Sequence, residues 1–497
     1  MSYEKRDYNK VTPEIVKRIA SIVGEKFVTT SKPVLYSYLS KGIMGLEATV
    51  ADCVVRPKSV EEVQGVLTIA SEEMIPLTPA AGGLSGGFAC PTIEPGGILM
   101  DLSEMNKIID VDTDARYIVV EPGVRSGEVW AYMRKKYPGW APPVPDGAPP
   151  AATILGDAIE RGFSLVTGRY GPQADTVMGL EVVLATGDII RTGSWALPGA
   201  KPFYKWGLGP DIGGLFLGSQ GTMGVITKCA IKIMPHLEYK TVVAYGMDNP
   251  YDMQDLTLDI SKYEMGMSDH CVMVQGGNYP LTMARWPKEK VPTDFASYEK
   301  MGMSQWWMNF EVWAWTKEEL DDTVKRIDDV AKSYEQRTGH QTPQWKLHPK
   351  QIASRLLKPN KIAIPYALWE AGFLFITWYT PWKGCGEFSE IYCQKMEEHG
   401  FPPVMWVASI DHAREAICMP IVCYDATDKE SIEQVKKLNQ ETTEMFLEKG
   451  WLNYRPDPFC HSPLTFSKAK EYHSLLRKIK KLVDPNGILH PGRLALP

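Results

Sequence analysis

Pro79-Ala-Ala-Gly-Gly-Leu-Ser-Gly-Gly-Phe88 and Gly214-Leu-Phe-Leu-Gly-Ser-Gln-Gly-Thr-Met-Gly224 are the stretches from which the fold is read. The first follows a β-type run ending near Thr78, and the second leads into Val225-Ile-Thr-Lys228. Glycines let a backbone approach a ligand that any Cβ would push away, and their N–H groups can converge on an anion. Loops of this kind suit a pyrophosphate. Neither fits the common nucleotide motifs. The first does not open a helix as Gly-x-Gly-x-x-Gly, and no Gly-Lys-Ser/Thr ending marks a P-loop. A dinucleotide held outside a Rossmann unit is the reading that remains, and it points to FAD.

Working outward, the chain has 497 residues, enough for about two to four domains. A hydrophobic content of 44% and a charged content of 23% are those of a globular protein. The net charge of −6 offers no basic face for nucleic acid. The basic run Arg477-Lys-Ile-Lys-Lys481 reads as a solvated helix face. No apolar stretch reaches the roughly 18 residues of a membrane span. The polar start, residues 1–10, lacks the apolar segment of a secretory signal, so a cytoplasmic location is expected. The nine cysteines include no Cys-x-x-Cys and read as buried thiols, which argues against iron–sulfur and zinc sites. The chain has 15 tryptophans and 22 methionines. Much of the aromatic excess lies between residues 286 and 382, which suggests an aromatic-lined cavity or plain core there.

The residue pattern predicts helices over 12–24, 59–73 and 126–136. It predicts strands over 50–55, 97–101, 108–112, 117–121 and 224–234, and a hairpin of 178–185 with 189–192. Ser59-Val-Glu-Glu62 is a capping box. After Pro235 the texture changes. Strands are expected over 239–247, 307–314 and 372–379, and helices over 317–336, 386–399, 428–448 and 467–483. The fold class is α+β.

An ordered set of segments resembles the FAD-linked oxidase superfamily, and within it the vanillyl-alcohol oxidase and p-cresol methylhydroxylase group. The set comprises residues 57–63, 81–87, Val120-Glu-Pro-Gly-Val124, Val144-Pro-Asp146, and residues 154–162, 178–185, 189–193, 213–216, 224–228, 450–455 and 484–492. The match is good over roughly residues 45–236 and 400–497 and weak between them. The resemblance implies a two-subdomain FAD-binding domain over 1–237, a cap domain with an antiparallel sheet over 238–450, and a segment 451–497 returning to the FAD domain. It gives the pyrophosphate to Ala81, Gly82, Gly83, Leu84, Ser85, Gly86 and Gly87. Pro122, Gly123, Gly156, Asp157, Gly162, Gly224, Val225, Ile226 and Arg493 join the cofactor set.

In that group a para-substituted phenol binds as phenolate and passes hydride from its benzylic carbon to flavin N5, giving a quinone methide. A phenol titrates near about 10, so phenolate at neutral pH needs a cation and donors. By match, Arg455 supplies the charge, Tyr454 a hydroxyl, and Asp146 a carboxylate near the reacting carbon. His412 and Arg414 match a substrate-side strand only loosely.

The chain also departs from the group. Gly87 stands where relatives have a phenolate-binding tyrosine, so Tyr170 or Tyr366 would have to replace it. Phe373 stands where relatives tether the flavin, so non-covalent FAD and a dehydrogenase are expected. The expected partners are a small aromatic substrate and an electron acceptor, either dioxygen or a protein carrier such as a cytochrome or electron-transfer flavoprotein. A homo-oligomer is expected. No metal site is expected. Two alternatives accompany this reading. One is a D-2-hydroxy-acid dehydrogenase, favoured by Gly218-Ser-Gln-Gly-Thr-Met-Gly224 but lacking a His-Gly-Asp-Gly-Asn-x-His segment. The other is a flavin-carrying electron-transfer subunit.

Overall fold

The computed structural model describes residues 6–39, 49–84, 95–145, 148–267, 271–278, 295–300, 304–345, 372–425 and 427–497. The chain divides into two units. One comprises Met1–Phe163, Gln173–Pro235 and Arg455–Pro497, and the other Ser164–Pro172 and His236–Tyr454.

The first unit holds two larger sheets and the two-stranded pair of Trp140–Ala141 with Met234–Pro235. In one, the strand order is Val28–Thr29, Cys53–Val55, Ile98–Asp101, Leu77–Ala80. Its last three strands run parallel, with Ile98–Asp101 between the two strands joined by the Val60–Glu72 helix. That crossover is a β-α-β unit. The helix starts where Ser59 Oγ accepts the Glu62 N–H at 3.2 Å. The Pro13–Val23 helix starts likewise on Thr12, with proline at its first position. The second sheet is antiparallel, ordered Ile108–Asp112, Tyr117–Val120, Val225–Lys232, Val177–Val183, Ile189–Arg191. Gly187, at φ +87°, turns its hairpin. The C-terminal tail enters both cores: Ile488 and Leu489 pack with the first sheet, and Leu494 and Leu496 with the second.

The second unit is built on one antiparallel sheet. Its order is Gln344–Trp345, Tyr239–Met247, Trp306–Ala314, Cys271–Asn278, Met405–Ile410, Glu415–Tyr424, Trp378–Pro381, Leu452–Asn453. The Lys317–Thr338 helix opens on a reciprocal capping box between Thr316 and Glu319. The short segment Ser164–Pro172 belongs here because the Thr167 and Gly168 carbonyls accept the Asp411 and His412 N–H groups at 3.2 and 2.7 Å.

Two expectations change. The strand expected over 372–379 is two strands, Gly372–Phe375 and Trp378–Pro381, which pair with different parts of Glu415–Tyr424. The break lies opposite Pro420, which has no N–H to continue the ladder. Strands Met405–Ile410 and Glu415–Tyr424 were not read from the sequence. They are buried on both faces and so lack the alternation that marks a half-exposed strand. In the described part of 286–382, Trp306, Trp307, Phe310, Trp313, Trp378 and Trp382 are buried.

Candidate functional site

The site grows from the turn that follows strand Leu77–Ala80. Gly83 takes φ +61°, which glycine adopts without penalty. A Cβ on Gly82 would stand 3.0 Å from Thr153 Cγ2. A Cβ on Gly156 would stand 2.7 Å from Thr153 Oγ1 and 3.5 Å from Ala81 Cβ. Gly82 is thus laid closely against the start of the Ile154–Ile159 helix, whereas a Cβ on Gly83 would meet open space. Leu84 is exposed. Ser85, Gly86, Gly87, Asp146 and Tyr366 lie outside the described residues.

The second glycine loop closes on the same turn. A Cβ on Gly221 would meet Pro79 Cγ at 2.8 Å, and His490 Nδ1 lies 2.7 Å from the Gln220 carbonyl oxygen. The tail also runs beside the strand: Leu77 N–H donates to Ile488 O at 2.7 Å, and His490 N–H donates to Leu77 O at 2.8 Å. Arg493 is buried, with Nη1 donating to Gln220 Oε1 at 3.3 Å. Gln220 Nε2 in turn reaches the Pro456 carbonyl at 3.4 Å. Four separate stretches therefore meet: the turn at 80–83, residues 153–162, the loop 218–224 and the tail at 490–493.

Arg161, Gln220 and His490 all sit at positive φ, 56°, 52° and 42°. For residues with a Cβ this costs on the order of 1–3 kcal/mol each and marks places held by their surroundings.

Val225 and Ile226 begin the strand that pairs with Val183 and Val182. A Cβ on Gly224 would stand 2.5 Å from Val182 Cγ1. Pro122 and Gly123 are buried, and Gly123 is required by close backbone approach. A Cβ there would lie 2.5 Å from Ser103 O and 2.9 Å from Met105 O. Gly162 closes against Asp157, whose backbone carbonyl accepts its N–H at 2.7 Å.

Arg455 is buried in the first unit. Its Nε donates to Glu160 O at 2.8 Å, and its Nη2 stands 3.8 Å from Asp157 Oδ1. Asp157 retains 16% of its side-chain exposure. Burial pushes its carboxyl up to about 7 against the downward pull of the Arg455 guanidinium. Tyr454 ends the second unit. It is buried, donates its N–H to Thr377 O at 3.0 Å, and packs edge-on against Tyr379 at 5.4 Å between ring centroids. Phe373 lies in strand Gly372–Phe375, paired with Cys423. His412 occupies the left-handed turn at 411–413, and Arg414 is exposed and ion-paired with Asp411 and Glu415 at 3.0 and 3.1 Å. Tyr170 packs under the Arg169 guanidinium.

One residue corrects the sequence reading. Lys480, expected on a solvated face, is 1% exposed. Its Nζ donates to Thr222 O and Leu489 O, both at 2.8 Å, and to Asp484 Oδ2 at 2.5 Å. Asp484 also accepts the Ile488 and Leu489 N–H groups at 3.0 and 2.8 Å. Burial lowers the Lys480 pKa while Asp484 raises it. The ammonium ties the second glycine loop to the tail. The i, i+4 spacing of Lys480 and Asp484 is the signal that was legible.

The donor set fits a polar dinucleotide. Arg161 Nε and Arg493 Nε and Nη2 are buried without a hydrogen-bond partner among the described residues. Buried donors of this kind are nearly always satisfied, so a bound anionic group is the natural acceptor. The glycine turn supplies the close backbone approach.

These features define a FAD-linked oxidoreductase. Residues 51–193 match the FAD binding domain family, and residues 463–494 match the FAD linked oxidases, C-terminal domain. Both matches are to domains of FAD-linked oxidases, and the cofactor is FAD. It is 26% identical to the 4-cresol dehydrogenase [hydroxylating] flavoprotein subunit of Pseudomonas putida, over 98% of this chain and 95% of that one. The 4-ethylphenol oxidase of Gulosibacter chungangensis superposes with a TM-score of 0.84 at 22% identity, covering 97% of both chains. A glycolate oxidase subunit of Bacillus subtilis is 35% identical over 40% of each chain.

Proposed function

We propose that this FAD-dependent oxidoreductase oxidises a para-substituted phenol, of the 4-alkylphenol or 4-hydroxybenzyl alcohol type, through a quinone methide. The observation that carries the proposal is the buried guanidinium of Arg455, placed next in sequence to a buried tyrosine, Tyr454. Bound FAD supplies the hydride acceptor at N5. Arg455 holds the substrate as phenolate, since a fixed charge that cannot deprotonate lowers the phenol pKa. The Asp157 carboxyl stands 3.8 Å from its Nη2, and burial pushes that carboxyl toward the neutral form. Tyr454 donates its hydroxyl to the same oxygen. Asp146 accepts a proton from the water that quenches the quinone methide, or balances charge on that carbon.

The end-to-end similarity to a 4-cresol dehydrogenase subunit supports this reading. FAD is non-covalent, with Phe373 at the tether position, and the electrons pass to dioxygen or a protein carrier. Exposed Phe203, Tyr204, Trp206 and Leu208 suit a homo-oligomer. Buried thiols at Cys53, Cys229, Cys418 and Cys423 suit a reducing compartment such as the cytoplasm.

A second reading, a D-2-hydroxy-acid dehydrogenase, is favoured by the 35% identity to a glycolate oxidase subunit. Anaerobic mixing with a 4-alkylphenol, 4-hydroxybenzyl alcohol, lactate or glycolate separates the two. Bleaching of the flavin band by the phenols is expected. Bleaching by the hydroxy acids alone overturns the proposal. Arg455→Met should slow reduction by phenol about 100- to 1,000-fold, as removal of one preorganised charge-stabilising donor does.

A further inference from the structure

We infer that Asp157 takes the phenolic proton when the substrate binds, so that phenolate replaces carboxylate as the counter-charge of Arg455. The inference rests on the phenol reading and adds to it a residue for the proton that must leave the oxygen. Asp157, Glu160, Gly162 and Arg455 all lie in the first unit. Asp157 Oδ1 stands 3.8 Å from Arg455 Nη2, within reach of an ion pair but too far for a hydrogen bond. Glu160 O accepts from Arg455 Nε at 2.8 Å and fixes the guanidinium beside the carboxyl. The backbone of Gly162 lies against that carboxyl. A Cβ there would stand 2.1 Å from Asp157 Oδ1 and 2.3 Å from Oδ2, so a larger residue would displace the carboxyl from this position.

The pair is poorly built as a structural clamp. Asp157 Oδ2 is buried without a hydrogen-bond partner among the described residues, a costly arrangement that a purely structural ion pair would avoid. Burial brings the carboxyl up to about 7 against the pull of Arg455 and of the nearby Gln173 amide, with Glu160 adding to the rise. These are the charged and polar groups that face it among the described residues. A carboxyl so placed exchanges its proton near neutral pH. A phenol brought to Arg455 has an ordinary pKa near about 10, which the guanidinium lowers. Its O–H bond breaks, the electron pair stays on oxygen, and the proton passes to Asp157, directly or through one water. One buried negative charge is exchanged for another, so the pocket gains no charge and Arg455 keeps an anion beside it. This proton is distinct from the one Asp146 takes from water after hydride transfer.

The test is calorimetric titration of the FAD-loaded full chain with 4-chlorophenol, which has no benzylic carbon to oxidise, in two buffers of different ionisation enthalpy. The titrations count the protons released, and the red-shifted absorption of phenolate reports the bound form. Wild type should release close to one proton per site at about pH 6, where the carboxyl is already protonated, and close to none at about pH 8, where it is the acceptor. Asp157→Asn should release about one proton at both pH values. Its affinity should keep rising about tenfold per pH unit from about 6 to 8, whereas that of wild type levels off above about 7. Asp157→Ser makes the same comparison if the amide variant does not hold FAD, and the wild-type counts need no variant. Phenolate bound by wild type at the higher pH with one proton released overturns the inference, as does an unchanged count in the variants. Absence of a phenolate band also overturns it. Bleaching of the flavin by 4-alkylphenols tells these failures apart: with it the phenol reading stands, and without it that reading falls as well.

Discussion

Replacing Lys480 with methionine tests whether the tail is a structural part of the cofactor site. Methionine keeps most of the volume of the lysine stem and removes the ammonium. Three acceptors then lose their donor: Thr222 O, Leu489 O and Asp484 Oδ2. Asp484 is 0% exposed, so its carboxylate is left as an uncompensated buried charge. Breaking such a pair costs about 3–5 kcal/mol. At roughly 2–4 °C per kcal/mol for a large domain, the FAD-loaded protein should melt on the order of 10 °C lower. FAD should also dissociate more readily, because the loop at 218–224 loses its tie to the tail. Lys480→Met/Asp484→Asn removes the buried charge and should recover much of the loss, since the amide oxygen of the new side chain would still accept from one backbone N–H. Differential scanning fluorimetry and FAD fluorescence read the two effects. A single variant melting within about 2 °C of wild type would refute the argument. So would a double variant less stable than the single.

Other consequences follow from charge and packing. Asp157 is raised to about 7 in the fold, against about 3.9 unfolded. Between those values the folded carboxyl keeps its proton while the unfolded one has lost it, so stability falls as pH rises through that window. Asp157→Asn should flatten the profile of urea midpoint against pH from about 4 to 7. Asp457 shifts the other way. Burial opposes its ionisation, but the adjoining His461 at 2.9 Å and the Cys460 and Phe459 N–H groups outweigh it and hold the carboxyl well below its usual range. Its contribution is present above the unfolded value and is lost only as pH falls below about 4, so His461→Gln should raise the pH of the acid-unfolding midpoint. Gly123→Ala should destabilise by about 1–3 kcal/mol in chemical unfolding, because its methyl would press on the Ser103 and Met105 carbonyls. Unchanged stability in that variant would show that the backbone of 103–105 yields freely.

Much of the first unit was legible because its signals are local. Thr12, Ser59, the turn at 186–188 and the strand periods each need only a few neighbouring residues. The helix over Ser126–Lys136 and the strand over Tyr239–Met247 follow from pattern alone. Pattern fails where burial is two-sided. Met405–Ile410 and Glu415–Tyr424 carry near-continuous apolar runs, and Cys271–Asn278 carries glycines at 276 and 277 that depress any strand reading. Those glycines have a reason visible only in three dimensions. A Cβ on Gly277 would stand 2.3 Å from the Met405 carbonyl oxygen, and one on Gly276 would collide with Met253 Sδ.

The cofactor site shows the same division in sharper form. Each glycine loop announces itself, since a residue without a Cβ has few reasons to recur four times in the ten positions from Pro79 to Phe88. What brings the loops together does not. Gln220 O meets His490 across 270 residues of sequence, Lys480 reaches Thr222 across 258, and Arg455 reaches Glu160 across 295. No window of sequence contains these pairs. The residues that make them are a buried lysine, a histidine at positive φ and an arginine beside a carboxyl of raised pKa. Each is unfavourable alone and becomes stable only when its distant partner is in place. On the proposed reading the loops carry the backbone that approaches FAD, and the long-range polar pairs hold the loop at 218–224 against the tail. A substitution in a loop should alter what is bound, whereas a substitution in a pair should alter whether the loops are assembled to bind at all.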